Sequence, residues 1–319
     1  MPAGRRPRSD HGRPDIRVRA SRLKRTAPSL GPDPLSRVPQ SQCFGMQTSP
    51  ETAFGQLLDH AEFLPQFWDE LRQPAVGGHF YQWDQFPEVT LLRLEIQARV
   101  HYLAGLQLVR HRPLAFASEV HVRNLIEFMA HVAWIHGVSN ERPSASARDR
   151  ALCLELGITK ATARATQQAR QESVPEGNLE RIDERAKEYE ALHAATDCQC
   201  KGRNRKMVRP TIEALIANSL LNPQVLDLWA MTSEGSHLHM PDRYLADQGG
   251  GITALAQAPF LERAKRVLWL VQPYTNGLGW FLDIEDPRQL ERFRQVLNGI
   301  DGHPIMQMAI TGRLDETRP

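Results

Sequence analysis

The sequence predicts an all-α protein: an irregular helical bundle with a charged helical excursion and a disordered, basic N-terminal tail. Three observations carry that prediction. Between about 50 and 300, apolar residues recur at a helical period and are bounded by helix start and stop signals. No run alternates apolar and polar residues for more than a few positions, and no repeat of fixed period is present. Residues 1–45 are rich in Pro, Arg, Ser and Gly without a periodic apolar pattern, so they lack the surface that would offset the entropy of ordering them.

Ser49 is a good N-cap and Pro50 a good first helical residue. Residues 50–72 then place Phe54, Leu57, Leu58, Ala61, Leu64 and Leu71 near a 3.6-residue period, with a break expected at Pro65. Residues 73–87 read as a loop rich in Gly and aromatics. A second helix follows at 88–110, with Leu92, Ile96, Leu103 and Leu106 on one side. Pro113 opens a third, about 114–137, which Gly137 ends. It is apolar on most sides and is therefore expected at the centre of the bundle.

Shorter helices at 145–156 and 160–173, an exposed charged helix at 178–196 and a basic loop at 198–209 make up the excursion. Helices at 211–220 and 223–236 are split by Asn222 and Pro223. The apolar segment 253–284 is interrupted by Pro273 and Gly277. The last helix has Asp286 as N-cap, Pro287 in its first turn and Gly299 just beyond its end. The domain reading is a tail at 1–46, one helical domain at 47–300 with the excursion at 145–209, and a C-terminal tail at 301–319.

The net charge of +2 hides an asymmetry. Residues 1–45 hold ten Lys and Arg against three Asp and Glu; the rest holds 29 against 34. A mildly acidic body is a poor partner for a polyanion. The tail has three readings: a nucleic-acid-binding arm, a targeting peptide, or an over-extended start before Met46, the last being favoured. No apolar run is long enough to span a bilayer, since Leu114 to Ile135 is crossed by Glu119, Arg123, Glu127 and His131. The cysteines, Cys43, Cys153, Cys198 and Cys200, are too few and too scattered for a disulfide framework, which points to a reducing, cytoplasmic compartment.

Four segments carry polar chemistry. In the third helix Glu119, Arg123, Glu127 and His131 recur every four residues and form one stripe on an otherwise apolar helix. Burial would force them to pair. In the stretch SEGSHLHMPD, Ser233 and His237 lie one turn apart, and Glu234 with His237 has the carboxylate–histidine spacing of di-iron bundles. Glu190 with His193 repeats that spacing, and Glu95 and Glu127 would complete such a set. Loop-bracing histidines are the plainer reading. Arg123, Glu127, Ser233 and His237 are expected to converge as a polar cluster. Third, residues 149–168 have the outline of a helix-turn-helix, with Gly157 in the turn and 160–168 as the DNA-reading helix. Its anchoring positions, Ala163 and Thr166, are small or polar. Fourth, Cys198 and Cys200 adjoin a basic loop, a weak zinc signal lacking a fourth ligand. Gly249, Gly250 and Gly251 form a flexible turn with no Gly-Lys-Ser/Thr to make a phosphate loop. No cofactor or metal is assigned.

The Arg-x-Leu-Ile-Glu helix (Arg123, Leu125, Ile126, Glu127), Trp134, the helix from Arg148 to Leu154, and the late Ser233-x-x-x-His237 together resemble uncharacterised all-helical bacterial proteins of the domain-of-unknown-function kind, some distantly similar to HEPN-type bundles. That resemblance covers about residues 50–285 and implies a helical bundle without an assigned activity. The leading functional expectation is a protein that binds a partner, another protein or a second copy of itself, rather than a catalyst. The alternatives are a DNA-binding regulator using 149–168, and a metal-dependent or HEPN-like nuclease.

Overall fold

The computed structural model describes residues 49–72, 87–138, 146–169, 176–195, 205–235, 245–247, 252–255, 258–281 and 287–311. The tail at 1–46, most of the 73–87 loop, His237, Cys43, Cys198, Cys200 and residues 312–319 lie outside them, so the readings placed there concern residues not described. Among the described residues the protein is helical apart from one short ribbon. In chain order the elements are α1 (Pro50–Arg72), α2 (Glu88–Arg110), a 3-10 helix (Arg112–Ser118), α3 (Glu119–Ile135), α4 (Ala147–Ala169), α5 (Glu176–Ala194), α6 (Arg205–Ala217) and α7 (Gln224–Gly235). Strands β1 (Leu245–Asp247) and β2 (Ile252–Leu255) come next, then α8 (Phe260–Phe281), α9 (Pro287–Asp301) and α10 (Pro304–Thr311).

The centre of the bundle is α3, as its composition predicts. It packs against α2, α6, α7 and α8, and Val122, Leu125, Ile126, Met129, Val132 and Ile135 are all buried. It ends in a left-handed residue, Gly137 at φ +92°. The Gly137 N–H donates to the Trp134 carbonyl at 2.9 Å and the Val138 N–H to the Ala133 carbonyl at 3.0 Å, which closes two free carbonyls of the last turn. Arg150, on α4, donates from Nε to a further one, that of Ile135, at 2.9 Å.

Several expected breaks do not occur. α1 continues through Pro65. Proline removes the N–H that would bond to the carbonyl of Ala61, and the buried Tyr102 hydroxyl donates to that carbonyl at 2.9 Å instead. α8 continues through Pro273 and Gly277. At Gly277 the ring of Phe128 occupies the space a Cβ would need, so the glycine marks close helix packing rather than an end. α4 is one helix where two were expected, and it runs through Gly157. A glycine inside a helix costs about 1 kcal/mol, and burial of Ala151, Leu152, Leu154 and Leu156 on α4 outweighs it. The turn that a helix-turn-helix requires is therefore not formed at 149–168.

Other boundaries shift. In α2 the buried side is Leu91, Leu94, Ala98, Tyr102, Leu106 and Val109, while Ile96 is exposed. The basic loop is shorter than expected, because α6 already begins at Arg205. β1 and β2 pair antiparallel, Leu245 opposite Leu255 and Ala246 opposite Ala254, and are three and four residues long, within the few positions over which the sequence allows a strand. α9 runs past Gly299. The segment read as a C-terminal tail contains α10, which buries Ile305, Met306, Met308 and Ala309 and packs mainly on α8. The core thus extends to Ala309.

The first helix is joined to two late ones, α8 and α9. Phe54 of α1 meets Phe260 of α8 edge-on, centroids 5.5 Å apart, and Trp68 meets Phe293 of α9 at 6.0 Å. Arg263 places its guanidinium 4.2 Å over the Phe54 ring and bonds the Glu51 carboxylate at 3.0 Å, 212 residues away in the chain. No helix among the described residues is long and apolar enough to cross a membrane.

Candidate functional site

The polar stripe of α3 makes two separate attachments. At its N-terminal end, Glu119 is buried and accepts a hydrogen bond from Arg266 Nη2 of α8 at 2.7 Å. Arg266 is buried too. Its Nη1 donates to the Glu262 carboxylate at 3.1 Å, and its guanidinium lies 4.6 Å over the Phe116 ring. Burial raises the Glu262 carboxyl, but Lys265 and Arg266 beside it outweigh burial and hold it below the usual range.

One turn on, Arg123 Nε donates to Glu127 Oε1 at 3.0 Å. Both side chains are half-buried, 21% and 28% exposed, which places the pair between a sealed ion pair and a solvated ladder. The pair faces α7, as expected of a polar stripe on an apolar helix. Trp229 Nε1 donates to the same Glu127 oxygen at 3.4 Å, and Arg123 sits 5.4 Å over the Trp229 ring. Ser233 lies on α7, one turn beyond Trp229; its side chain, like His237, is outside the described residues. The structure thus brings together Arg123 and Glu127 of the four expected residues, and adds Trp229. The last member of the stripe is His131, whose Nε2 is buried without a hydrogen-bond partner among the described residues. Burial lowers the His131 pKa, against the opposing pull of Glu127.

The clamp of Arg123, Glu127 and Trp229 holds α7 against α3, and α7 is one wall of a groove that the sequence does not announce. The groove encloses about 690 Å³ between α3, α7, α8 and α10 and the turn after α6. Ile126, Met129, Leu228, Met231, Leu268 and Trp269 line its apolar part. Asp227 and Lys265 stand among its lining as opposite charges. Leu220, Met231 and Ile310 at this groove are 47%, 44% and 51% exposed, an unusual concentration of large apolar side chains in water. Leu220 is placed there by Ser219, which holds φ +57°. The Ser219 and Leu220 N–H groups close α6 onto Ile216 and Leu215, each at 2.9 Å.

The remaining candidates are engaged elsewhere. Glu95 is buried and accepts from Arg99 Nη2 at 2.8 Å, while Arg99 also holds Asp69 through both terminal nitrogens at 2.6 and 2.7 Å. Glu190 pairs with Lys160 at 2.7 Å across α4 and α5, which takes up a cation of the supposed DNA-reading helix. Among the described residues no three or more His, Cys, Asp and Glu converge as a metal centre, so the di-iron set is not assembled there. Cys153, buried on α4, is disulfide-bonded.

Comparison with family models, with curated proteins and with solved structures gives no match. The groove escaped sequence reading because its walls come from four separated segments. The only local signal is the spacing of Gln224, Leu228 and Met231 on α7, an outward stripe at i, i+4 and i+7.

Proposed function

We propose that this protein acts by binding a partner protein, and that the groove between α3, α7, α8 and α10 receives an amphipathic helix of that partner. The observation that supports it is the exposure of Leu220, Met231 and Ile310 around one apolar groove. A helix suits it because the walls are themselves helices. The outward stripe of α7 presents ridges at the spacing into which another helix packs, and helix-in-groove recognition reads anchors at i, i+3 or i+4 and i+7. α7 has 12 residues and is therefore about 18 Å long, which matches about three turns of ligand. Met231 adds adaptable surface, and Asp227 with Lys265 offers charges that fix direction.

The test places a photo-crosslinking amino acid at Met231 in cells, with Arg181, on the exposed face of α5, as control. The expected adduct is to one partner protein, on a segment with apolar residues at i, i+3 or i+4 and i+7, lost when Ile310→Glu is added. Adducts only to a second copy of this chain, or none above the Arg181 control, would overturn the proposal.

A further inference from the structure

A second site lies on the seam between α2 and α3, and the groove has no part in it. His101 of α2 and His121 of α3 place their Nδ1 atoms 3.1 Å apart, with ring centroids 5.3 Å apart and planes inclined by 48°. We propose that these two imidazoles are a chelating site for a single divalent transition-metal ion of the zinc class, bound through both Nδ1 atoms.

The separation is the first support. Two zinc–nitrogen bonds of about 2.0–2.1 Å at a tetrahedral angle put the nitrogens about 3.3 Å apart. The pair already stands close to that distance without a metal, so binding requires little rearrangement of either helix. The second support is how the approach is built. At Gly105, one turn after His101, a Cβ would meet the His121 Cβ at 3.2 Å and press on Leu270 of α8. Glycine there lets α3 bring His121 up to α2. Both rings are half-buried, so two further coordination positions remain for water or for a group of a partner.

The chemistry of the pair is consistent. Without metal, one Nδ1 holds a proton that the other accepts, and which ring holds it is set by tautomer. Burial lowers the pKa of both rings, and His101 lowers that of His121 further. Both imidazoles are therefore neutral at pH 7 and available as ligands. A metal ion takes the place of the shared proton, which moves to the Nε2 of the same ring, so two neutral imidazoles bind the ion with no net release of protons. Among the described residues the site has two protein ligands and no carboxylate, which makes it an exchangeable, open site rather than a closed structural one.

The experiment titrates the full chain with zinc chloride by calorimetry, comparing wild type with His101→Gln and His121→Gln. Loss of an outer partner of a metal ligand already weakens affinity about 10–100-fold, so loss of a ligand should weaken this site by at least about tenfold. Each variant should lose the same zinc equivalent, together with its share of the zinc-induced rise in Tm. In wild type, the imidazole nitrogen resonances of His101 and His121 should shift together on zinc addition, a readout that holds even if a variant folds poorly. Unchanged stoichiometry in both variants, loss in only one of them, or zinc shifts confined to other histidines would overturn the proposal.

Discussion

Tyr102 of α2 donates its hydroxyl to the carbonyl of Ala61, the acceptor that Pro65 leaves without a helical partner. The proline and the tyrosine are thus coupled through one buried oxygen. Tyr102→Phe should cost about 1–3 kcal/mol, the penalty for a buried acceptor left unmade. In a Pro65→Ala background, where the helix supplies its own N–H, the same change should cost less. Urea melts of the four proteins form a double-mutant cycle, and an interaction energy near zero would refute the coupling.

The α3–α7 clamp sets a second expectation. Arg123→Ala removes a half-buried ion pair and a cation–π contact with Trp229. Exposed pairs contribute up to about 1 kcal/mol and a cation–π contact about 0.5–1 kcal/mol, so the loss should be about 1–2 kcal/mol. Arg181→Ala on α5 should stay within about 0.5 kcal/mol. Equal effects of the two substitutions in denaturant melts would show that the clamp does not hold.

Ser219 offers a substitution that stabilises. A non-glycine residue at φ +57° sits in the left-handed region at a cost of about 1–2 kcal/mol, which Ser219→Gly releases while gaining some freedom in the unfolded chain. The net should be a rise of about 0.5–1 kcal/mol. A fall in Tm would mean that the serine contributes more through its side chain than its backbone costs.

His303 carries a pH prediction. Burial first, and the facing His60 second, lower its pKa from 6.5 to about 4. The folded state thus holds it neutral where the unfolded chain would take up a proton. Its contribution is complete above pH 6.5 and is lost as pH falls from 6.5 to about 4, at no more than about 1.4 kcal/mol per pH unit. His101, His121, His131 and His193 are shifted the same way and steepen the wild-type slope. His303→Gln should flatten the fall in stability between pH 6.5 and 5, read from urea melts at fixed pH; a slope unchanged from wild type would contradict the assignment.

The disulfide at Cys153 can be counted. The chain has four cysteines, so protein purified without reductant and then denatured should expose at most two reactive thiols, and four after reduction. Four thiols before reduction would contradict the disulfide.

The helical class was legible because periodicity and caps survive in any context: Pro50, Glu88 and Gly137 mark real helix boundaries. What sequence reading missed are places where a distant residue completes a local defect. Pro65 reads as a breaker until Tyr102 is brought to Ala61, and Gly277 reads as an end until Phe128 fills its space. Ile96 misled because α2 carries apolar residues beyond its buried side, so periodicity there has two solutions. At the candidate site, the orientation of Arg123 and Glu127 toward another helix was readable from the apolar helix that carries them. The groove was not readable, nor was the His101–His121 pair, since helix crossing alone sets both.

The bond between Arg263 and Glu51 has a consequence during synthesis. At about 5–20 residues per second, the 212 residues from Glu51 on to Arg263 take on the order of 10–40 s to translate. Once α1 and then α2 have been made, Phe54 and Trp68 still have neither Phe260 nor Phe293 to meet for the rest of that interval. The nascent chain therefore shows an aromatic edge that the finished protein hides, a natural foothold for a chaperone and the first place where a slowed ribosome would let the chain associate wrongly.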